Sequence, residues 1–338
     1  MKNVFKSFKK SGAILLTGLI LIFSSCSKDE NLFGPSSSDA PIILSNMSND
    51  TLVYTNVGNA AIPVYISIPE GCNIKDYPAV MVLHGSDGMW LNHDPGQGKM
   101  SGQFTEWKDL LNDNCIAAVF VDSYSGRGVQ TRTGKWTTAP DNFKISSQFI
   151  RPRDANAALK LLQEMKFSNG QLVIRKNQVA LLGFSDGASA VAATLYNTDS
   201  TPNAWEWTQT FDGQSYDTNS GVIPPEPMPT DGFAGGIFYY GGSGAYNYWG
   251  KSPCSNDAME GNIFQPYAPM LYQVPSEGYL SENTLCQVAL LKEKGLPVEV
   301  QIYQGVGHGF DFDKVEQSEL ARTVSIQWLK NLFEAVEN

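Results

Sequence analysis

Three stretches of the chain are apolar almost without interruption: 79–83 (AVMVL), 116–121 (IAAVFV) and 178–184 (QVALLGF). Continuous rather than alternating hydrophobicity marks a strand covered on both faces, as in a parallel sheet. Stretches 235–240, 269–274 and 298–303 predict three more strands. Between them the apolar positions change period. Phe104, Trp107, Leu110 and Leu111 recur at helical spacing, and Ala155, Ala158, Leu159, Leu162 and Met165 line one face of a helix over 152–165, with Pro152 in its first turn. Further helices are predicted near 281–294, ended by Gly295, and over 315–335. Two β-rich runs in 51–69 flank Asn56 to Asn59 and predict a hairpin.

Strands alternating with helices predict an α/β fold, a mostly parallel, doubly wound sheet with helices on both faces. Right-handed crossovers then bring the C-terminal ends of the strands to one rim, where ligand sites in such sheets lie. Residues 51–338 read as one such domain. Segment 197–231 is rich in Pro, Thr and Asn and carries Trp205, Trp207, Phe211 and Tyr216; it is too long for a plain connector and is expected as an insertion over that rim.

Composition sharpens this picture. Apolar residues make up 42% of 338, enough for a sizeable core, and the net charge of −10 argues against a nucleic-acid partner, which needs Lys and Arg in excess. Residues 1–25 hold Lys2, Lys6, Lys9 and Lys10, no acid, and then a short apolar run to Phe23, so they read as an export signal and leave a still more acidic chain behind. Ser24-Ser25-Cys26 resembles the lipobox of bacterial lipoproteins, with Phe23 where aliphatic residues are commoner. Ser27-Lys28-Asp29-Glu30 is similar to the surface-export signals of Bacteroidetes-type lipoproteins. The resemblance implies a lipid on Cys26, an outer-membrane tether with the domain facing the surface or the periplasm, and a flexible spacer over 26–50.

Candidate chemistry centres on Gly183-Phe184-Ser185-Asp186-Gly187, a G-x-S-x-G string between a buried strand and a small-residue helix. That setting is what a nucleophile elbow requires. A serine needs a base, and only three histidines exist. His308 lies in a glycine-rich loop (GVGHGF) after the last predicted strand and is the candidate base. His84 follows a strand in His84-Gly85-Ser86-Asp87-Gly88, where it would shape a loop. His93, in a polar loop, reads as a surface residue. The Asp186 amide at a helix N-terminus, with that of Ser86 or Asp87, would supply oxyanion donors. Arg127, Arg151 and Arg153 are candidates for a substrate carboxylate or for pairing with Asp122 and Asp154. Tyr239, Tyr240, Tyr246, Tyr248 and Trp249 are candidate pocket walls. No zinc spacing, HExxH, dinucleotide fingerprint or P-loop occurs, so neither metal nor cofactor is expected. Cys72, Cys115, Cys254 and Cys286 permit three disulfide pairings.

The G-x-S-x-G string, the upstream His-Gly and the late Gly-His-Gly-Phe together resemble the α/β-hydrolase fold. Asp122-Ser123-Tyr124-Ser125-Gly126-Arg127-Gly128 and Arg153-Asp154-Ala155 resemble its dienelactone-hydrolase-like branch, and the likeness runs from Ile62 to the C-terminus outside 197–231. That branch's namesakes use a cysteine nucleophile. Ser185 at the matching place favours a serine esterase instead. The resemblance also implies pairing of Cys254 with Cys286, which leaves Cys72 with Cys115. It further implies an acid after the strand at 270–274, but strict register puts Gly278 there; Glu277 is the nearest carboxylate, Glu282 the next, and Asp257 and Glu260 follow the preceding strand. A glutamate can orient an imidazole as an aspartate does.

The expectation is therefore a serine esterase with Ser185, His308 and Glu277 as its triad, acting on a small-molecule or acylated-glycan ester at the cell surface. The other reading is a lapsed hydrolase fold that binds a ligand or glycan, since a fold alone does not fix function. For the anchor, palmitate labelling lost in Cys26→Ala is the expected outcome, and unchanged labelling and processing in that variant would refute it.

Overall fold

The computed structural model describes residues 43–44 and 50–337, apart from 133–142, 212 and 243–245. The export signal of 1–25 and the Cys26 lipidation site lie outside the described residues. The main sheet has eight strands: β1 (Thr51–Val57), β2 (Ala60–Ser67), β3 (Tyr77–Leu83), β4 (Ala117–Val121), β5 (Ile174–Phe184), β6 (Gly235–Tyr239), β7 (Met270–Pro275) and β8 (Val298–Tyr303). Their order across the sheet is β8-β7-β6-β5-β3-β4-β2-β1, antiparallel at β1–β2 and β2–β4 and parallel elsewhere. The hairpin β1–β2 turns at Gly58, whose φ of 59° is a conformation glycine adopts without strain.

Helices α1 (Gly102–Asp113), α2 (Arg151–Glu164), α3 (Asp186–Thr194), α4 (Ser281–Glu293) and α5 (Glu316–Glu337) cover the sheet. The alternation along β3 shows how. Ala79, Met81 and Leu83 pack with Leu159 and Leu162 of α2, Val191 of α3 and Leu291 of α4. Val80 and Val82 pack with Trp107 and Leu111 of α1 and Leu329 and Phe333 of α5. Both faces are thus buried, which is why the strand sequence is apolar throughout. β5 starts four residues before its apolar run, because Ile174 pairs with Tyr77 while Lys176 and Asn177 remain exposed.

Two boundaries differ from expectation. Within the 26–50 spacer, 43–44 pair in parallel with Lys166–Phe167, and Asp50 accepts hydrogen bonds from Tyr65 Oη (2.5 Å) and Ser67 Oγ (2.6 Å). Its last residues are therefore tied to the domain. Segment 197–231 forms a short hairpin, Gln209–Phe211 with Gln214–Tyr216, and none of its described residues lines the cleft at Ser185. Among its described aromatic residues, Trp207 packs on Tyr248 (4.7 Å between ring centroids), and Tyr248 Oη donates to the Ile223 carbonyl (2.6 Å). Disulfides join Cys72 to Cys115 and Cys254 to Cys286.

Candidate active site

Ser185 stands between the last residue of β5 and the first of α3, with φ 53° and ψ −113°. Such a backbone in a non-glycine residue holds on the order of 1–3 kcal/mol of strain and persists only where its surroundings enforce it. Here they do. A Cβ on Gly183 would overlap the Gly187 carbonyl, and one on Gly187 would overlap the carbonyls of Leu83 and His84. The two glycines let α3 close onto β5 and β3. The Ser185 amide is held by the Tyr239 carbonyl at 3.0 Å.

His308 reaches the same point from the loop after β8, and its Nε2 lies 3.0 Å from Ser185 Oγ. Burial lowers the pKa of its imidazole, so the ring is neutral at neutral pH and able to accept the hydroxyl proton. Two tyrosines flank it: Tyr240 at 4.9 Å with planes at 66°, and Tyr279 at 4.7 Å with planes at 38°. Its other nitrogen, Nδ1, is buried and has no hydrogen-bond partner among the described residues.

The carboxylate expected beside Nδ1 is not Glu277. The Glu277 amide donates to the Val306 carbonyl (3.0 Å), but its exposed side chain makes no hydrogen bond or ion pair with the described residues. The turn after β7 explains this. A Cβ at Gly278, the position in register with the family's acid, would collide with Ser281 Oγ and Pro275 Cγ, 2.6 and 2.7 Å away. The turn therefore closes on a glycine and leaves Glu277 facing solvent. Glu282 and Glu260 are also exposed, and exposed Asp257 lies 3.5 Å from Lys251.

On the opposite side of Ser185, Ser86 and Asp87 line the cleft, and Asp186 opens α3 with a first-turn amide that has no intrahelical partner. Beneath them lies a buried ion cluster. Asp186 Oδ2 accepts from Arg151 Nη1 (2.8 Å) and Tyr124 Oη (3.0 Å), and Asp186 Oδ1 from Arg132. Burial alone would raise the Asp186 carboxyl; the two guanidinium groups and the phenol outweigh it and hold the pKa below its ordinary value. Arg151 also donates to the His84 carbonyl at 2.7 Å. His84 is structural: burial, then Arg151, depress it to about 4, and its Nδ1 donates to the Gly85 carbonyl at 2.7 Å. Arg151 therefore pairs with Asp186, not with Asp122 or Asp154. Arg127 binds Asp154 in bidentate fashion (2.6 and 2.8 Å), and Arg153 binds Glu226 (2.9 Å).

The cleft encloses about 560 Å³ between Trp90, Phe104, Phe184, Tyr240, Tyr279 and Phe312. Of the aromatic residues proposed as pocket walls, Tyr240 is one; Tyr239, Tyr248 and Trp249 are core residues, and the Tyr246 side chain lies outside the described residues. His93 is exposed yet forms part of the cleft wall, its Nδ1 donating to the Asp87 carbonyl (2.8 Å). No lysine or arginine lines the cleft among the described residues. Sequence reasoning missed Gln103 and Asp311. Asp311 is fully buried and accepts from Gln103 Nε2 (2.7 Å), Trp107 Nε1 (3.4 Å) and Tyr240 Oη. The only hint of it is its place three residues after His308.

No protein-family model and no curated protein sequence matches the chain. Solved structures do. The propionate-bound structure of a thermophilic esterase from the planctomycete Thermogutta terrifontis superposes with a TM-score of 0.53 at 14% identity, covering 85% of this chain and 96% of that one. A structure of that esterase phosphorylated by paraoxon gives 0.52 at 14%, covering 85% and 96%. A putative dienelactone hydrolase from Klebsiella pneumoniae gives 0.50 at 12%, covering 83% and 98%. The fold is the α/β-hydrolase fold. At these identities the likeness speaks for architecture, and the strand order, with its rim-borne serine and histidine, agrees with it.

The ion cluster generates a prediction. Asp186→Asn leaves two buried guanidinium groups short of charge, so stability at pH 7 should fall by about 3–5 kcal/mol. Because the folded-state pKa of Asp186 is depressed, the wild type holds this contribution above the ordinary aspartate value and loses it as pH falls through the folded value. Urea unfolding should therefore show a gap between wild type and variant that narrows below about pH 4; a gap independent of pH would contradict the charge assignment.

Proposed function

We propose that the protein is a serine esterase. One observation carries the reading: a serine hydroxyl on a strained elbow, 3.0 Å from the Nε2 of a neutral imidazole, at the floor of an aromatic cleft. Ser185 Oγ attacks the ester carbonyl while His308 Nε2 takes its proton. The oxyanion is received by the amide of Asp186 and that of Ser86 or Asp87. His308 then protonates the leaving alcohol, and an acyl-serine remains. Water, deprotonated by the same nitrogen, attacks the acyl carbon; the proton returns to Ser185 and a carboxylic acid is released. Esterase neighbours, one phosphorylated by paraoxon, support this reading.

The substrate we propose is a neutral ester with an apolar or aromatic acyl group, which an acylated glycan would present. The aromatic walls favour burial of such a group. A second negative charge on the substrate would meet Asp87 and no cation among the described lining residues. This is the respect in which we separate the chain from an enzyme for carboxylate-bearing lactones. The setting we propose, an exported lipoprotein anchored through Cys26, rests on residues 1–30 of the sequence; no helix of the described residues is long and apolar enough to cross a membrane.

A fluorophosphonate probe should label the wild type and leave Ser185→Ala unlabelled. No labelling of the wild type would favour the ligand-binding reading instead. Between a neutral aryl ester and the same ester bearing a free carboxylate on its acyl chain, kcat/KM should favour the neutral one by about tenfold or more, the size of one uncompensated charge in a partly desolvated site. Equal rates would remove the charge argument.

A further inference from the structure

The esterase reading leaves His308 with an unusual surrounding. A third residue in a Ser-His-acid triad has two tasks: it fixes the imidazole in the productive orientation, and it stabilises the imidazolium that forms in the transition state. Among the described residues no carboxylate meets Nδ1. What does meet the ring is aromatic. Tyr240 and Tyr279 have centroids 4.9 and 4.7 Å from that of His308, inside the ~6 Å over which a cation is attracted by a ring face.

Neither tyrosine is placed casually. Tyr240 follows β6 with φ 39°, a left-handed backbone for a bulky residue, and is buried. Its hydroxyl donates to Asp311 Oδ1 and accepts from Gln103 Nε2 (3.0 Å), while Gln103 Nε2 also donates to Asp311 Oδ2 (2.7 Å) and Trp107 Nε1 reaches the same oxygen (3.4 Å). A carboxylate at the far end of a phenol draws the proton outward and makes the whole ring more electron-rich. Tyr279 is 75% exposed, a large ring left in water where it lies beside His308 at the mouth of the cleft.

We propose that Tyr240 and Tyr279 form an aromatic clamp that does for His308 what a triad carboxylate does elsewhere, with Asp311 anchoring Tyr240 as a positioning residue one ring removed. The clamp holds the imidazole edge towards Ser185 and favours its protonated form as the proton leaves Oγ. Buried negative charge reaches the histidine through the phenol ring rather than through a hydrogen bond to Nδ1.

The charged and titratable groups around the device fit this arrangement. Burial raises Asp311 to about 6, so it is a carboxylate at neutral pH, and hydrogen bonds from Tyr240, Gln103 and Trp107 oppose the rise. Arg322 of α5 donates to the Asp311 carbonyl (2.6 Å) and pairs with Glu106 of α1 (2.8 Å). Burial holds Tyr239 and Tyr240 well above the ordinary phenol range and raises Tyr303, so all three remain neutral. Burial lowers His308, and an electron-rich ring beside it acts in the opposite direction.

The test is steady-state ester hydrolysis as a function of pH, with melting temperature recorded for each variant. Tyr240→Phe keeps the ring and removes its link to Asp311, and Asp311→Asn removes the charge. Each should lower kcat about 3- to 30-fold, the range of a desolvated cation–π contact, with KM little changed and the acid limb of kcat/KM moved to lower pH. The double variant should be no worse than either single one, because the two act as a unit. Tyr279→Leu, at an exposed site where folding is not at stake, should also lower kcat and shift the limb in the same direction. Glu277→Gln should stay within about twofold of wild type, as expected for a solvated carboxylate. A loss on the order of 10⁴ in Glu277→Gln, the size expected of a triad acid, would overturn the proposal. So would an active, probe-labelled wild type whose acid limb and kcat are unmoved in Tyr240→Phe, Asp311→Asn and Tyr279→Leu. An unlabelled, inactive wild type would instead overturn the esterase reading on which the clamp rests.

Discussion

The site depends on one close approach of backbone to backbone. Gly187 packs against the carbonyls that end β3, and Gly183 against Gly187 itself, with no room for a methyl group at either position. This contact sets the angle at which α3 leaves β5 and forces Ser185 into its positive φ. It also brings the start of α3 beside the loop at Gly85, where a Cβ would lie 3.8 Å from that of Ser185. A larger residue at either glycine would move the hydroxyl, the helix and the loop together.

That approach has an electrostatic consequence. The residue after the serine carries a carboxylate into the interior, where an unpaired charge is costly. Arg132, Arg151 and Tyr124 surround it, and Arg151 gives its second Nη to the His84 carbonyl. The same guanidinium therefore neutralises Asp186 and pins the strand end that leads into the Gly85–Asp87 loop. His84, neutral and enclosed, is part of this framework, which separates it from His308, the one imidazole in contact with the serine.

Much of this was legible in the sequence, and the limits have physical causes. The strands at 79–83, 116–121 and 178–184 could be read because burial on both faces removes every polar position. The pairing of elbow and late histidine could be read because each needs glycines at fixed neighbours. The residues that surround His308 on its far side could not. Gln103 and Tyr240 reach Asp311 from 208 and 71 residues away, and no local spacing records a contact of that kind. Glu277 shows the complementary limit: composition and register put a carboxylate near the right place, but the tightness of the turn at Gly278 decides which way it faces. Likewise the aromatic residues of 197–231 suggested a cover for the rim, whereas Trp207 packs on Tyr248, and the sequence does not reveal this partner.

The scarcity of cations in the cleft lining bears on the fate of the product. In the proposed reaction, hydrolysis of a neutral ester would create a carboxylate inside the cleft, where the described lining offers aromatic faces, Asp87 and no lysine or arginine. Such a product would find no cation among the described lining residues and one carboxylate, Asp87, of its own sign. On the proposed reading, the same lining that favours a neutral molecule makes the released acid a poor competitor for the cleft.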